Sequence, residues 1–239
     1  MILLGAGAGL LVGCAGDAEV IENPLTLAEA SSQVTFASTE ELGAHRFLAT
    51  RQRTEHRNNS EHSHHVEVVE IRWESWDHFR YTRHVDDRPV EEVVVYDGEG
   101  WTRRGEQWRR VSDAEPHRTQ LRMSWNAWDQ VTALFGEQVT LEAAATESVE
   151  GRLARRYTVS LPATLQPSAA GGPRSGGKLE PRSLNGMLWV DEATAVRLTG
   201  SLSGVLARDG YTQEHTLQLA RTDIGVRQDI KPPHVGRDE

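Results

Sequence analysis

The residues best suited to metal chemistry are histidines that lie close together in the first third of the chain. They are His56, His62, His64 and His65, with Glu61 and Glu67 beside them. In an extended segment His62 and His64 lie on the same side, as two ligands of a divalent transition metal do. The alternative is a solvated hairpin tip after Asn58 and Asn59, because no third ligand is specified. The sequence therefore predicts no metal and no cofactor, and leaves His62, His64 and His65 as the metal candidates to test.

Hydrolytic and covalent chemistry has less support. The chain contains no GxSxG elbow, no HExxH motif and no P-loop. The adjacent carboxylates Asp86-Asp87 and Glu91-Glu92 are typical of a turn and of a solvated strand. A single cysteine excludes an intrachain disulfide and a zinc site of the CxxC type. We therefore predict that the chain is not an enzyme.

Composition and charge narrow the class of partner. The chain has 239 residues, 38% hydrophobic and 26% charged, which suits one large globular domain. It carries 26 Lys and Arg against 35 Asp and Glu, and the net charge of −9 disfavours a nucleic acid as partner. Against this background Arg103, Arg104, Arg109 and Arg110 form a local basic patch. The patch is either a solvated hairpin or a contact for anionic headgroups or lipid cargo.

The single cysteine, Cys14, follows an apolar segment. Residues 2–12 read ILLGAGAGLLV, which is shorter than the ~20 residues that span a bilayer and typical of the h-region of a secretory signal peptide. Leu11, Val12, Gly13 and Cys14 then resemble the lipobox of bacterial lipoproteins. The resemblance implies cleavage before Cys14, acylation of the cysteine and anchoring to a membrane. The alternative is a buried free cysteine in a hydrophobic helix.

The same resemblance predicts the N-terminal segments of the chain and the location of the protein. Residues 1–13 are expected to be the signal peptide, 14–24 a tether, 25–232 the folded domain and 233–239 a C-terminal tail. Ala15 rather than aspartate follows the cysteine, which under the enterobacterial sorting rule implies the outer membrane. The expected location is the cell envelope, with the protein lipid-anchored in the outer membrane and facing the periplasm.

Alternation of apolar and polar residues predicts antiparallel strands from Gly43 onward. Strands are expected at 64–73, 76–84, 90–96, 101–104, 107–111, 139–147, 154–161, 184–190, 196–206 and 211–222. Turns are expected at Glu74-Ser75, Asp97-Gly98, Gly105-Glu106 and Asp209-Gly210. A short helix is predicted at 25–33 and a glycine-rich loop at 166–183.

One long helix is predicted between these strands, at residues 116–135. Its apolar residues recur at the helical period, Pro116 suits the first turn, and Gly136 ends it. These residues are Leu121, Trp125, Trp128, Val131 and Phe135. We expect the helix to cover the apolar face of the sheet with Trp125 and Trp128 pointing inward. Gly200 and Gly204, on that face, either relieve crowding where the sheet bends or leave room for a ligand.

These patterns together resemble the LolA/LolB superfamily of half-barrel proteins. The resemblance rests on Tyr96-Asp97-Gly98, on Trp101 and Trp108, on the helix, and on the strand–turn–strand LWVDEATAVRLTG at 188–200. It implies a mainly β, α+β fold, in which a curved antiparallel sheet is covered by one or two α-helices. It also implies that the two strands flanking the 188–200 turn are adjacent. The family includes periplasmic lipoprotein carriers and acyl-lipid-binding lipoproteins.

The resemblance further implies a ligand site between sheet and helix. Such a cavity binds acyl chains of lipids or lipoproteins, because each buried CH₂ contributes about 0.8 kcal/mol. The candidate lining residues are Val69, Ile71, Trp73, Val93, Val95, Leu121, Trp125, Trp128, Val196, Leu198 and Leu202. The alternative is a packed core without ligand in an anchored structural or interaction lipoprotein, since alternation marks burial only.

Overall fold

The computed structural model describes residues 25–26, 36–162 and 178–234. Cys14, the signal and tether segments and most of the glycine-rich loop lie outside the described residues. The division into signal, tether, domain and tail therefore stays a prediction.

Twelve strands form the sheet over the described ranges, most of them close to their predicted positions. They are β1 Leu25–Thr26, β2 His45–Arg57, β3 Ser60–Ser75, β4 His78–Val85, β5 Arg88–Tyr96, β6 Glu99–Arg104, β7 Gln107–Val111, β8 Thr140–Val149, β9 Arg152–Ser160, β10 Glu180–Asp191, β11 Arg197–Arg208 and β12 Tyr211–Thr222. Two local predictions are wrong. Leu25–Thr26 is a strand and not a helix, and the turn after β3 lies at Trp76-Asp77 rather than at Glu74-Ser75.

The strands form one antiparallel sheet in the order β1-β8-β9-β10-β11-β12-β2-β3-β4-β5-β6-β7. It consists of two meanders, β2 to β7 and β8 to β12, joined by the pairing of β12 with β2. Strands β10 and β11, which flank the 188–200 turn, are adjacent as expected. The predicted class, a curved antiparallel sheet covered by helices, is confirmed.

Helices α2 (Glu115–Trp125) and α3 (Ala127–Ala133) connect strands near opposite ends of this order, so the chain must cross the face of the sheet between them. A short helix α1 (Phe36–Glu41) precedes β2. The prediction of one continuous helix at 116–135 is wrong, because the segment forms two helices. They are separated at Asn126, whose backbone is not helical (φ −88°, ψ 16°). The apolar spacing continues through this break, so the periodic signal does not reveal it.

The core lies between the helices and the sheet face that they cover. Leu121, Trp125, Trp128, Val131 and Phe135 are all buried there, as predicted. Gly200 and Gly204 leave space for Trp128 of α3 and for Phe135, which follows α3. A Cβ on Gly200 would lie 2.9 Å from Trp128 Cζ3, and one on Gly204 would lie 2.4 Å from Phe135 Cζ. The two glycines therefore fit the sheet to the helix layer.

A buried carboxylate fixes the turn between β10 and β11. Asp191 accepts bonds from Arg152 at 2.8 and 2.9 Å and from the Thr194 amide and hydroxyl at 3.0 and 2.6 Å. These bonds hold the pKa of Asp191 below its usual value although burial acts in the opposite direction. Ala195 takes φ +58° in the same turn.

The segment after β12 crosses the face of the sheet opposite the helices. Ile230 packs against Val94 and Trp101, and Glu74 accepts a bond of 2.6 Å from the Gln228 amide. Among the described residues, no helix has the length and hydrophobicity required to cross a membrane.

Candidate functional site

The sheet face beneath the helices changes from apolar to charged along several strands. On β2 the residues facing the helices run Phe47, Ala49, Arg51, and on β3 they run Ile71, Val69, Glu67. Strand β4 changes in the same way between Tyr81 and Arg83. The change from apolar to charged residues occurs at nearly the same level on the three strands, because Arg51 pairs with Glu67 and Val69 pairs with Arg83. The covered face therefore has an apolar half and a charged half that meet along one line.

A cleft of about 210 Å³ lies on this line, between β2–β4 and the two helices. Its lining is Ala49, Arg51, Glu67, Val69, Tyr81, Arg83, Gln120, Met123, Ser124, Ala127 and Gln130. Ala49, Val69 and Ala127 supply apolar surface, while two guanidinium groups and one carboxylate supply the charges. This arrangement suits a molecule that has an apolar part and an anionic part.

Ion pairs and amide contacts hold the charged wall of the cleft. Glu67 lies 3.1 Å from Arg83 Nη1 and 3.8 Å from Arg51 Nη1, and all three side chains are about one third exposed. Arg51 also donates to Gln130 Oε1 on α3 at 3.3 Å. Two arginines thus share one glutamate in the cleft, which leaves positive charge for an anionic group.

The opposite wall joins α2 to β4 and β5. Gln120 donates its amide to the Tyr81 hydroxyl at 3.3 Å and to the carboxylate of Glu91. Burial raises the pKa of Tyr81, which keeps the phenol neutral. Met123 stands at the rim with 59% of its surface exposed. This wall therefore offers neutral hydrogen-bonding groups and one flexible apolar side chain.

The apolar half ends in a cluster of aromatic rings around a buried histidine. His45 lies 5.3 Å from the Trp73 ring and 6.1 Å from the Trp125 ring, and its Nδ1 bonds Gly43 O at 3.0 Å. Burial, and then the nearby charge of Arg221, lower the pKa of His45 to about 4. Arg221 is itself buried and stacks on Phe47 at 4.8 Å. This end of the face is packed rather than open.

The predicted cavity residues divide between two core clusters, and one of these residues also lines the cleft. Val69 lines the cleft. Val69 and eight other candidates belong to the main core cluster, where the side chains pack against one another. The eight others are Ile71, Trp73, Val93, Val95, Leu121, Trp125, Trp128 and Leu202. Val196 and Leu198 instead lie in a separate cluster with Leu42 and Ala154.

The placement of Val196 and Leu198 corrects the sequence analysis. Val190 pairs with Arg197 and Trp189 with Thr199, so Leu198 is an extra residue in a β-bulge. Arg197 rather than Leu198 reaches the helices, where it binds Asp129 at 2.5 and 3.1 Å. Strict alternation therefore fails at this point, and these two residues do not line a surface with the other candidates.

The histidines do not converge. His62 is an extra residue in a β-bulge. The prediction that His62 and His64 lie on the same side of the strand requires strict alternation, which the bulge interrupts. His64 contacts Thr54 Oγ1 at 2.9 Å, whereas the neighbouring His65 points to the other face and contacts Asp86 at 3.4 Å. Over the described part of the chain, no group of three or more His, Cys, Asp or Glu is placed to bind a metal ion.

The polar residues of the cleft are absent from the predicted lining. Arg51, Glu67 and Arg83 are not among the predicted lining residues, because that prediction rests on apolar positions alone, and Glu67 is named only beside the histidines. The signal was present, since each residue interrupts an apolar series at the same alternation phase. Gln120 and Gln130 carry no such signal, because the break at Asn126 sets how the two helices face the sheet.

Comparison with known proteins gives similarity of structure alone. No family model matches the chain, and no curated protein sequence matches it. Lipoprotein LppX of Mycobacterium tuberculosis is similar at 14% identity and a TM-score of 0.35, over 86% of this chain and 96% of that one. MucB is similar at 18% identity and a TM-score of 0.30, over 86% of this chain and 63% of MucB.

A LolA superfamily protein from Nitrosomonas europaea is similar at 9% identity and a TM-score of 0.24, covering 80% of this chain and 91% of that one. These neighbours in structure include a lipoprotein and a LolA-superfamily protein. Similarity of this size carries no information about a ligand.

Proposed function

We propose that this protein is a lipid-anchored lipoprotein of the cell envelope that binds the acyl end of an anionic amphiphile in the cleft between helices and sheet. The observation that carries the proposal is the cleft itself, where apolar Ala49 and Val69 lie beside the shared charges of Arg51 and Arg83. The anchor is Cys14, and the location is the outer membrane facing the periplasm.

The size of the cleft limits what it holds. Pockets for drug-sized ligands measure roughly 300–1,000 Å³, and this cleft measures about 210 Å³. It therefore accommodates part of an acyl chain, and a longer insertion requires the helices to move away from the sheet. Each CH₂ that leaves water contributes about 0.8 kcal/mol, so a short buried length already gives measurable affinity.

Native mass spectrometry of the full chain tests the ligand. The variant Cys14→Ser removes the chain's own acyl groups, so any lipid found is cargo. We expect a co-purifying anionic acyl lipid, and we expect Ala127→Phe to displace it by filling the cleft. Ala133→Phe is the matched control, because Ala133 is exposed on the same helix. Equal lipid content in both variants contradicts the cleft as the site.

Membrane fractionation tests the anchor separately. The wild-type chain is expected in the membrane fraction, and Cys14→Ser is expected in the soluble fraction. A Cys14→Ser variant that stays with the membrane refutes anchoring through this residue and leaves the cleft proposal untouched.

A second candidate function is an anchored interaction protein whose packed core binds no ligand. It is favoured by the tight packing of the main core, in which Trp128 and Phe135 occupy the space opposite Gly200 and Gly204. A chain that carries no lipid and binds no added fatty acid supports this second function.

A further inference from the structure

One edge of the sheet is open to an additional strand. Strand β7 is last in the strand order, so one side of its backbone has no neighbouring strand among the described residues. Gln107, Arg109 and Arg110 are exposed, and Trp108 and Val111 are half-buried. Unpaired edges of this kind are templates for strand addition unless something protects them.

The hairpin fixes which backbone groups point outward. Its two-residue loop at Gly105-Glu106 is closed by the pair Arg104 and Gln107, which makes that pair hydrogen-bonded. Hydrogen-bonded and non-hydrogen-bonded pairs alternate along an antiparallel ladder. The amides and carbonyls of Trp108 and Arg110 therefore point to the open side, and those of Arg109 point to β6.

The positive charge of this edge indicates that a binding partner carries negative charge. The β6–β7 hairpin carries four arginines and two glutamates in a chain whose net charge is −9. Arg103 binds Glu92 and stacks on Trp108 at 5.2 Å, and Arg110 binds Glu99. Exposed Arg109 has no ion pair within the described ranges. The excess positive charge opposes pairing with the same edge of a second copy and attracts an acidic segment.

The other edge of the sheet differs in each of these respects. Strand β1 covers β8 at Thr140 and Leu141. A bulge between Ala143 and Thr146 then interrupts the rest of β8, and Glu142 and Glu147 give it negative charge. Bulges and short covering strands are protections against strand addition, and β7 has neither among its described neighbours.

We propose that the β7 edge binds an acidic, extended segment of a partner protein by strand addition. The backbone of Trp108 and Arg110 supplies the hydrogen bonds, and Arg109, which has no ion pair within the described ranges, attracts the carboxylates that lie on its own face of the sheet at alternate positions of the segment. Contact with an anionic membrane is disfavoured, because Arg103 and Arg110 already hold glutamates and membrane attraction depends on the number of free charges. This inference does not depend on the cleft.

Fluorescence anisotropy tests the proposal with the full Cys14→Ser chain. The probe is a labelled peptide of about eight alternating Glu and Val residues, the length of an ordinary strand. A Lys–Val peptide of equal length is the control. We expect saturable binding of the acidic peptide alone, weakened by about tenfold or more between roughly 50 and 300 mM salt. Absence of saturable binding, or equal binding of both peptides, overturns the proposal.

Two variants separate backbone pairing from charge. Arg110→Pro removes an outward amide and the charge, whereas Arg110→Gln removes the charge alone, and edge positions of this kind accept proline. We expect about tenfold weaker binding for Arg110→Pro than for Arg110→Gln. Equal loss in the two variants overturns strand addition. If Arg110→Pro does not fold, Arg109→Glu carries the test, and unchanged affinity in that variant overturns the proposal.

Two further outcomes assign the edge to another occupant and overturn the proposal. One is sedimentation of the Cys14→Ser chain with phosphatidylglycerol vesicles, abolished by Arg109→Glu while the peptide does not bind. The other is a dimer in solution that Arg110→Pro converts to a monomer, because the edge would then pair with a second copy.

Discussion

The two halves of the covered sheet face obey the same alternation but have opposite chemistry. In the apolar half, Trp73, Phe47 and Ile71 are buried against the helices. In the charged half, Arg51, Glu67 and Arg83 occupy the same alternation phase on the same strands. Strand geometry therefore decides which residues face inward, and the position of the helices decides whether those residues must be apolar. The cleft lies at the boundary between the apolar half and the charged half of the sheet face.

The largest expected effect is in the apolar half. Trp128→Ala removes a fully buried indole that fits against Gly200. We expect a loss of about 3–5 kcal/mol in the free energy of unfolding, because a cavity replaces the ring. Arg53→Ala, at an exposed position in the charged half of β2, is expected to change stability by less than about 0.5 kcal/mol. Urea denaturation measures both, and similar losses contradict the division into halves.

Acid should weaken the apolar half through His45. Its folded pKa is about 4 against a usual value of 6.5, so between these values the unfolded chain takes up a proton that the folded chain does not. Stability should therefore fall as pH falls from 6.5 toward 4, by up to about 3 kcal/mol from this residue. His45→Gln should lose less stability over the same range in urea titrations. An identical pH dependence in both proteins shows that His45 is not responsible.

Adding side-chain volume should lower the stability of the fold only on the part of the sheet that the helices cover. Gly204→Val places methyl groups against Phe135, where even a Cβ would be 2.4 Å from Cζ, and we expect a loss of about 1–3 kcal/mol. Ser203→Val adds the same side chain to the neighbouring exposed position. That control should change the melting temperature little, and a comparable drop in the two variants indicates that the helices do not pack on Gly204.

The smallest effect on stability is expected in the charged half, with a larger effect on binding. Glu67→Gln removes the carboxylate that Arg51 and Arg83 share, at a cost below about 1 kcal/mol for exposed ion pairs. It should tighten binding of an anionic fatty acid, because both arginines become available. Glu70→Gln is the matched control, since Glu70 lies on the other face of β3 between Arg46 and Arg72. Calorimetric titration should show tighter binding for Glu67→Gln alone.

The regular parts of the fold were predictable because their causes are local. Strand β12 occupies Tyr211–Thr222, as expected from its alternation and from Asp209-Gly210 before it. The helix residues that face the sheet were also correct, because the 3.6-residue period survives the break at Asn126. The candidate site was predicted less well. Val69 reaches the cleft, whereas the bulge at Leu198 and the orientation of Gln120 and Gln130 leave no periodic signal.

The sequence by itself determined which residues alternate, where most turns fall and which helix face is apolar. Each of these follows from interactions between residues a few positions apart. The tertiary structure alone decided that β12 pairs with β2, that no described strand pairs with the outer side of β7, and that the polar ends of three strands meet the helices at one cleft. Those outcomes depend on register between strands far apart in sequence, and register is set by the packing of the whole face rather than by any one segment.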